Sequence, residues 1–281
     1  MSESTIAAEP VAQRAASAPT ISRRSALWLA LAGGASVLFY LLVYVGGLSG
    51  GTLQWVSDIG QVLVVGASAA MTLMAARRLG LTCPLGRQWL LIGSGLVLLT
   101  LSEALWAYYE LLLHQPVPSP GMADVFRLGF YVLAGSGIIA AATAYRKMLE
   151  MRTEVLASLV LSTFLLVVLY VYLGLGVLQN ESLSVLERVV ALAYPIGDVM
   201  LFIGPTCLML LVARKLRFRR LAWPWIAVGV GALVFALADV GFLLMQSNGA
   251  YASGNPIDMG WMLGPVLMAA GASIALDVNF G

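Results

Sequence analysis

Residues 189–246 read VVALAYPIGDVMLFIGPTCLMLLVARKLRFRRLAWPWIAVGVGALVFALADVGFLLMQ. Two apolar runs, 189–213 and 222–246, flank the basic stretch RKLRFRR at 214–220. Each run is long enough to cross the roughly 30 Å hydrocarbon core of a bilayer as a helix rising about 1.5 Å per residue. A backbone in lipid must satisfy its own hydrogen bonds, so runs of this length are helices rather than strands. Arg and Lys concentrate in cytoplasmic turns, which puts 214–220 on the inner side. Anionic lipid contact and topology account for that stretch without nucleic acid.

The same pattern continues on both sides. Further runs lie near 26–48, 54–76, 89–113, 122–145, 155–178 and 257–276, giving eight expected crossings. Arg23 and Arg24 precede the first run; Arg77, Arg78 and Arg87 fall between runs two and three; Arg146, Lys147 and Arg152 fall between four and five. Of the 16 basic residues, Arg127 and Arg188 alone fall on the opposite side, and the connection SNGAYASGNP there carries no charge. This alternation predicts an even number of spans, cytoplasmic amino and carboxyl termini, and a bacterial inner-membrane location. The expected fold is all-α, a polytopic bundle of eight transmembrane helices in contact with membrane lipids.

Composition agrees: 60% of the 281 residues are hydrophobic and 11% charged, with a mean hydropathy of +0.90, outside the range of a soluble domain. Two cysteines, Cys83 and Cys207, exclude a disulfide framework and a Cys-rich metal site. The single histidine, His114, excludes bis-histidine haem, and the two lysines, Lys147 and Lys215, flank spans, leaving no amine for a retinal Schiff base. No cofactor is expected, and the metal question stays open. Residues 1–22 lack any helical or strand period and read as a disordered cytoplasmic tail.

The chain also repeats itself. Trp89 precedes Glu103 by 14 residues, and Trp225 precedes Asp239 by the same 14. ADVFRLGFYVL at 123–133 aligns with IDMGWMLGPVL at 257–267, setting Asp124 opposite Asp258, and Asp58 corresponds to Asp198. Residues 23–148 and 149–281 therefore form two four-helix repeats. Each contains an even number of spans, so they insert parallel, about a pseudo-two-fold axis along the membrane normal. GSG at 93–95 and GVG at 229–231 hold equivalent places and predict close helix contacts.

Six acids, Asp58, Glu103, Asp124, Asp198, Asp239 and Asp258, fall in the outer half of the spans. Ionised carboxylates facing lipid are costly, so they should turn inward. Helical spacing puts Glu103, Trp106 and Glu110 on one face, and Asp124, Arg127 and Tyr131 on another. Three readings stay open. The acids hold the repeats together through Arg127, Arg188, tyrosines and helix ends. Alternatively they anchor a small polar or cationic ligand in an outer pocket walled by Trp106, Tyr109, Tyr131, Tyr194 and Trp261. In the third, Glu103 and Asp239 relay protons or cations. Pro195, Pro205 and Pro265 interrupt spans six and eight and permit bending there. No Walker, HExxH, kinase or dinucleotide signature is present, so no catalytic residue is assigned.

PVPSPGMAD at 116–124, Tyr131, AYPIGD at 193–198 and GNPIDMGWMLG at 254–264 resemble the multi-span sensory regions that precede GGDEF and EAL domains in bacterial cyclic-di-GMP signalling proteins. The resemblance covers about residues 26–277. It implies a signal sensor that passes a change from the last span to a cytoplasmic enzyme. This sequence reaches LDVNFG directly after the eighth run and carries no cyclase or phosphodiesterase signature. A separate cytoplasmic signalling partner, or a C-terminal output domain on a longer chain, would then supply the response. A small transporter or channel and a structural subunit of a membrane complex are the alternatives.

Overall fold

The computed structural model describes residues 23–146, 150–215, 220–247 and 249–280. The expected tail 1–22, Lys147, Arg217 and Arg219 lie outside them. Among the described residues eight long helical rods follow one another: α1 (Arg23–Tyr44), α2 (Gly50–Leu79), α3 (Pro84–Leu113), α4 (Met122–Arg146), α5 (Arg152–Gln179), α6 (Val185–Lys215), α7 (Trp223–Ser247) and α8 (Asp258–Phe280). Among the described residues there is no strand, and seven rods, α2 to α8, are long and apolar enough to cross a membrane. The chain is a helical membrane protein. α1 is a helix of 22 residues packed on α8.

Local chemistry sets the rod ends. Pro84 opens α3, where its missing N–H is no loss, and the Cys83 sulfur accepts from Gly86 N at 3.3 Å. Ser184 and Glu187 form a reciprocal capping box at the start of α6. Between α1 and α2, Gly47 and Gly50 take φ of 63° and 59°, which a side chain would resist.

Three rods contain π-helical stretches: Tyr108–Leu113 ends α3, Tyr170–Gly174 lies within α5, and Asp198–Ile203 lies within α6. The α6 stretch sits between Pro195 and Pro205. Pro205 offers no N–H to the carbonyl four residues before it and its ring crowds that carbonyl, so the preceding turn widens. The expected interruption of this span therefore takes the form of a wider turn, beginning at Asp198.

Of the seven rods α2 to α8, α8 is the most enclosed, with 67% of its most apolar window buried, and α5 the least, with 11%. α5 accordingly presents Leu156, Phe164 and Tyr172 outward. α2 packs on α3 and α8, and α4 packs on α3 and α6. The centre is aromatic: Phe130, Tyr131, Phe202 and Phe235 meet with ring centroids 4.9 to 6.1 Å apart. Trp89 and Trp225 stack at 5.0 Å and 13° between planes.

The two glycine motifs lie at close approaches. A Cβ on Gly93 would meet Leu73 of α2, and one on Gly95 would lie 2.9 Å from Ala134 N of α4. In α7, a Cβ on Gly229 would meet Thr206 of α6, and one on Gly231 would lie 2.5 Å from the Gly264 carbonyl of α8. Small residues let these rods approach backbone to backbone.

Candidate functional site

Arg127 is the hub of the buried polar network. It is 7% exposed. Its Nη2 reaches Glu103 Oε1 of α3 at 2.5 Å, and its Nη1 faces Asp239 Oδ1 of α7 at 3.9 Å. The guanidinium also lies 5.1 Å from the ring centroid of Trp261 in α8, a cation–π arrangement. Arg127 makes no ion pair with Asp124, its neighbour one helical turn earlier, but spans Glu103 and Asp239, which occupy matched places in the sequence.

Asp239 has two further partners. Trp261 Nε1 donates to its Oδ1 at 2.6 Å, and the Tyr131 hydroxyl bonds to its Oδ2. The same hydroxyl lies 2.8 Å from Asp198 Oδ1, at the start of the π stretch. A phenol has one hydrogen and cannot donate to two carboxylates at once. Tyr131 therefore donates to Asp198 or to Asp239, and Asp239 has Arg127 and Trp261 as partners besides.

Asp124 and Asp258 each begin a rod and act there as caps. Asp124 Oδ2 accepts from Gly121 N at 2.8 Å, and its other oxygen accepts from the Tyr194 hydroxyl of α6. Asp258 Oδ2 accepts from Gly254 N at 2.7 Å and from Ser57 Oγ of α2 at 2.8 Å, while Tyr251 donates to its Oδ1 at 3.0 Å. Burial, then the neighbouring Asp258 charge, push the Tyr251 phenol well above its usual range, so it stays a donor. In both places a carboxylate satisfies helix-end N–H groups while a hydroxyl ties it to another rod.

A cavity of about 770 Å³ opens among α3, α4, α5, α6 and α7 beside the 117–119 connection. Trp106, Asp124, Arg127, Tyr194 and Asp239 line it, together with apolar groups such as Phe242 and Val190. Five of the twelve expected site residues therefore share one wall. Glu103, Tyr131, Asp198 and Trp261 form the layer joined to it by the bonds above. Asp58 and Asp258 belong to a second polar group along α2 and α8. Tyr109 lines neither this cavity nor the smaller one beside it, and packs edge-on against Tyr108 at 5.8 Å; the π turn that ends α3 sets its direction.

That second group contains residues outside the expected set. Gln54 Nε2 donates to Glu110 Oε2 at 2.9 Å and Ser253 Oγ donates to the same oxygen at 2.7 Å. Gln61 Nε2 reaches Ser57 Oγ at 3.3 Å. Gln54, Ser57, Asp58 and Gln61 fall at i, i+3, i+4 and i+7, a polar stripe that helical spacing alone reveals in an apolar span. Among the described residues no group of three or more His, Cys, Asp or Glu side chains has a metal-holding arrangement.

Comparison with protein-family models, curated proteins and solved structures found no match. What the fold and site define is a class: a helical membrane protein that keeps a carboxylate-rich network inside its bundle.

Proposed function

We propose that the chain is a membrane-embedded signal sensor that takes a small cationic ligand, an amine above all, into the 770 Å³ cavity. One observation carries this reading. Glu103, Asp124, Asp198 and Asp239 lie on or directly behind the wall, and Arg127 is the charged base among them. A cation entering there meets Asp124 and Asp239 as anchors and Trp106, Tyr194 and Phe242 as aromatic walls.

The switch proposed is a movement of two parallel four-helix units, 23–148 and 149–281. The stacking of Trp89 on Trp225 supports this division because it joins residues at matched positions, and the glycine contacts support it because Gly93 and Gly95 pack within the first unit as Gly229 and Gly231 pack within the second. Arg127 holds Glu103 tightly and Asp239 loosely, so an amine competing for Asp239 would release the contact between the units. A differential affinity of a few kcal/mol suffices to shift such an equilibrium. Eight crossings with both termini in the cytoplasm of a bacterial inner membrane follow from the basic loops, and α1 supplies the eighth. The resemblance to regions preceding GGDEF and EAL domains supports a cytoplasmic signalling partner or output domain.

A transporter is the second reading, favoured by the π-widened α6 running past Asp198. Nanodisc-embedded protein titrated with primary and quaternary amines tests the first: an amine should raise the unfolding midpoint, and Asp239→Asn should abolish that response. Amine flux into sealed proteoliposomes, lost in Asp239→Asn, would replace the sensor with the transporter. No response to any amine would remove both.

A further inference from the structure

Asp58 is the least satisfied charged side chain of the bundle interior. It is 3% exposed, on the face of α2 that packs against α3 and α8. No donor reaches either of its oxygens, and its neighbour is another carboxyl, that of Glu110, which Gln54 holds from one turn earlier on the same helix face. One turn further, Gln61 is 4% exposed and its Oε1 also lacks a donor. The amide cannot simply be reversed to cure this. Ser57 Oγ spends its hydrogen on Asp258, so it can only accept from Gln61 Nε2. Three buried acceptor oxygens thus face each other's surroundings with nothing to accept from, an arrangement native interiors rarely tolerate.

The charges facing Asp58 from its neighbours sharpen the deficit. Glu110 and Glu103 come from α3 and Asp258 from α8, with the Tyr251 phenol beside Asp258; all four are acidic groups. Glu110 Oε2 already accepts from Gln54 and Ser253, which fixes that carboxyl in place. Glu110 also lines a smaller cavity of about 280 Å³ with Trp106, Gln246 and Tyr251.

We propose that Asp58, Glu110 and Gln61 form a second binding site, separate from the amine cavity, that holds one monovalent cation, a sodium ion or a proton. Two carboxyls and one amide oxygen suit a single charge. Calcium takes about 6–8 oxygen ligands, more than Asp58, Glu110 and Gln61 offer. The two sources differ in reach: a shared proton bridges Asp58 and Glu110, whereas a sodium ion would also use Gln61 Oε1.

Thermal unfolding of the full chain in nanodiscs tests this, with sodium chloride against caesium chloride at equal ionic strength, and with pH lowered in caesium alone. A midpoint that climbs with the logarithm of sodium concentration, and stays flat in caesium, is the expected result. Asp58→Asn and Glu110→Gln should each abolish it, and Gln61→Leu should weaken apparent sodium affinity at least about tenfold. Stabilisation by acid alone, lost in Asp58→Asn and Glu110→Gln but kept in Gln61→Leu, identifies the proton as the occupant. Equal response to sodium and caesium with no acid response overturns the site, as does a response unchanged in both carboxyl variants. Glu110 is half-buried, so its variant remains informative if Asp58→Asn fails to fold. The amine response, scored in the same samples, fails or survives independently.

Discussion

Trp89 of α3 and Trp225 of α7 lie face to face, 5.0 Å between centroids and 13° from parallel. Each stands 14 residues before an acid held at Arg127, Glu103 in one case and Asp239 in the other. One symmetric contact thus sits deep in the bundle, and one asymmetric contact, the single arginine, joins the same two rods farther along.

Truncating either tryptophan should cost about 3 to 5 kcal/mol of unfolding free energy, because both are buried and neither site can collapse fully. The double variant should cost less than the sum, by about 0.5 to 1.5 kcal/mol, if ring stacking itself contributes. Chemical unfolding of the four members of the cycle in nanodiscs measures this. Strict additivity would reduce the stack to two independent burials.

Arg127→Gln should be among the most damaging single changes, on the order of 3 to 5 kcal/mol, since it leaves Glu103 and Asp239 buried without their base. Neutralising the acids as well, in Arg127→Gln/Glu103→Gln/Asp239→Asn, should recover a large part of that loss. Unfolding midpoints of the single and triple variants decide it. If the triple variant is no more stable than the single one, charge is not the cause.

Gly231→Ala should destabilise by about 1 to 3 kcal/mol, because its Cβ would sit 2.5 Å from the backbone carbonyl of Gly264. Gly34→Ala meets nothing within 4 Å and should be neutral or slightly stabilising. Comparable midpoints for the two would show that α7 and α8 do not approach as closely as described.

Tyr194→Phe removes the hydroxyl that holds Asp124 on the cavity wall while keeping the aromatic ring. The expected stability loss is about 1.5 to 3 kcal/mol, the range for hydrogen bonds to a charged partner. Amide exchange should quicken in the first turn of α4, where Asp124 caps Gly121 N. Unchanged exchange there would mean that the cap holds without help from α6.

Hydropathy and loop charge made the rods legible, since lipid imposes length and the inner turns impose Arg and Lys. The inward turn of the acids was legible for the same reason, and Asp58, Glu103, Asp124, Asp198, Asp239 and Asp258 are all buried. Their partners were not. Ser57 meets Asp258 across 201 positions and Tyr131 meets Asp239 across 108, and packing between rods, rather than spacing along one, decides such pairs. Arg127 illustrates the limit: its spacing from Asp124 suggests a partner one turn away, yet its long side chain reaches α3 and α7. Tyr109 shows another. Regular α-helical spacing assigns it to the pocket wall, while the π turn from Tyr108 onward alters the direction of every side chain after it.

The wide turn of α6 holds one residue more than a regular turn does. Each residue of an α-helix advances the rod by about 100°, and the bulge absorbs that advance so that the turns on either side keep their phase. Removing one residue there should close the bulge and leave Met209, Val212 and Ala213 on the interior they now fill, whereas removing one from the regular coil after Gly204 should swing them away. The segment thus works as slack in the rod, tolerating a deletion that elsewhere would turn the end where Lys215 meets Glu154.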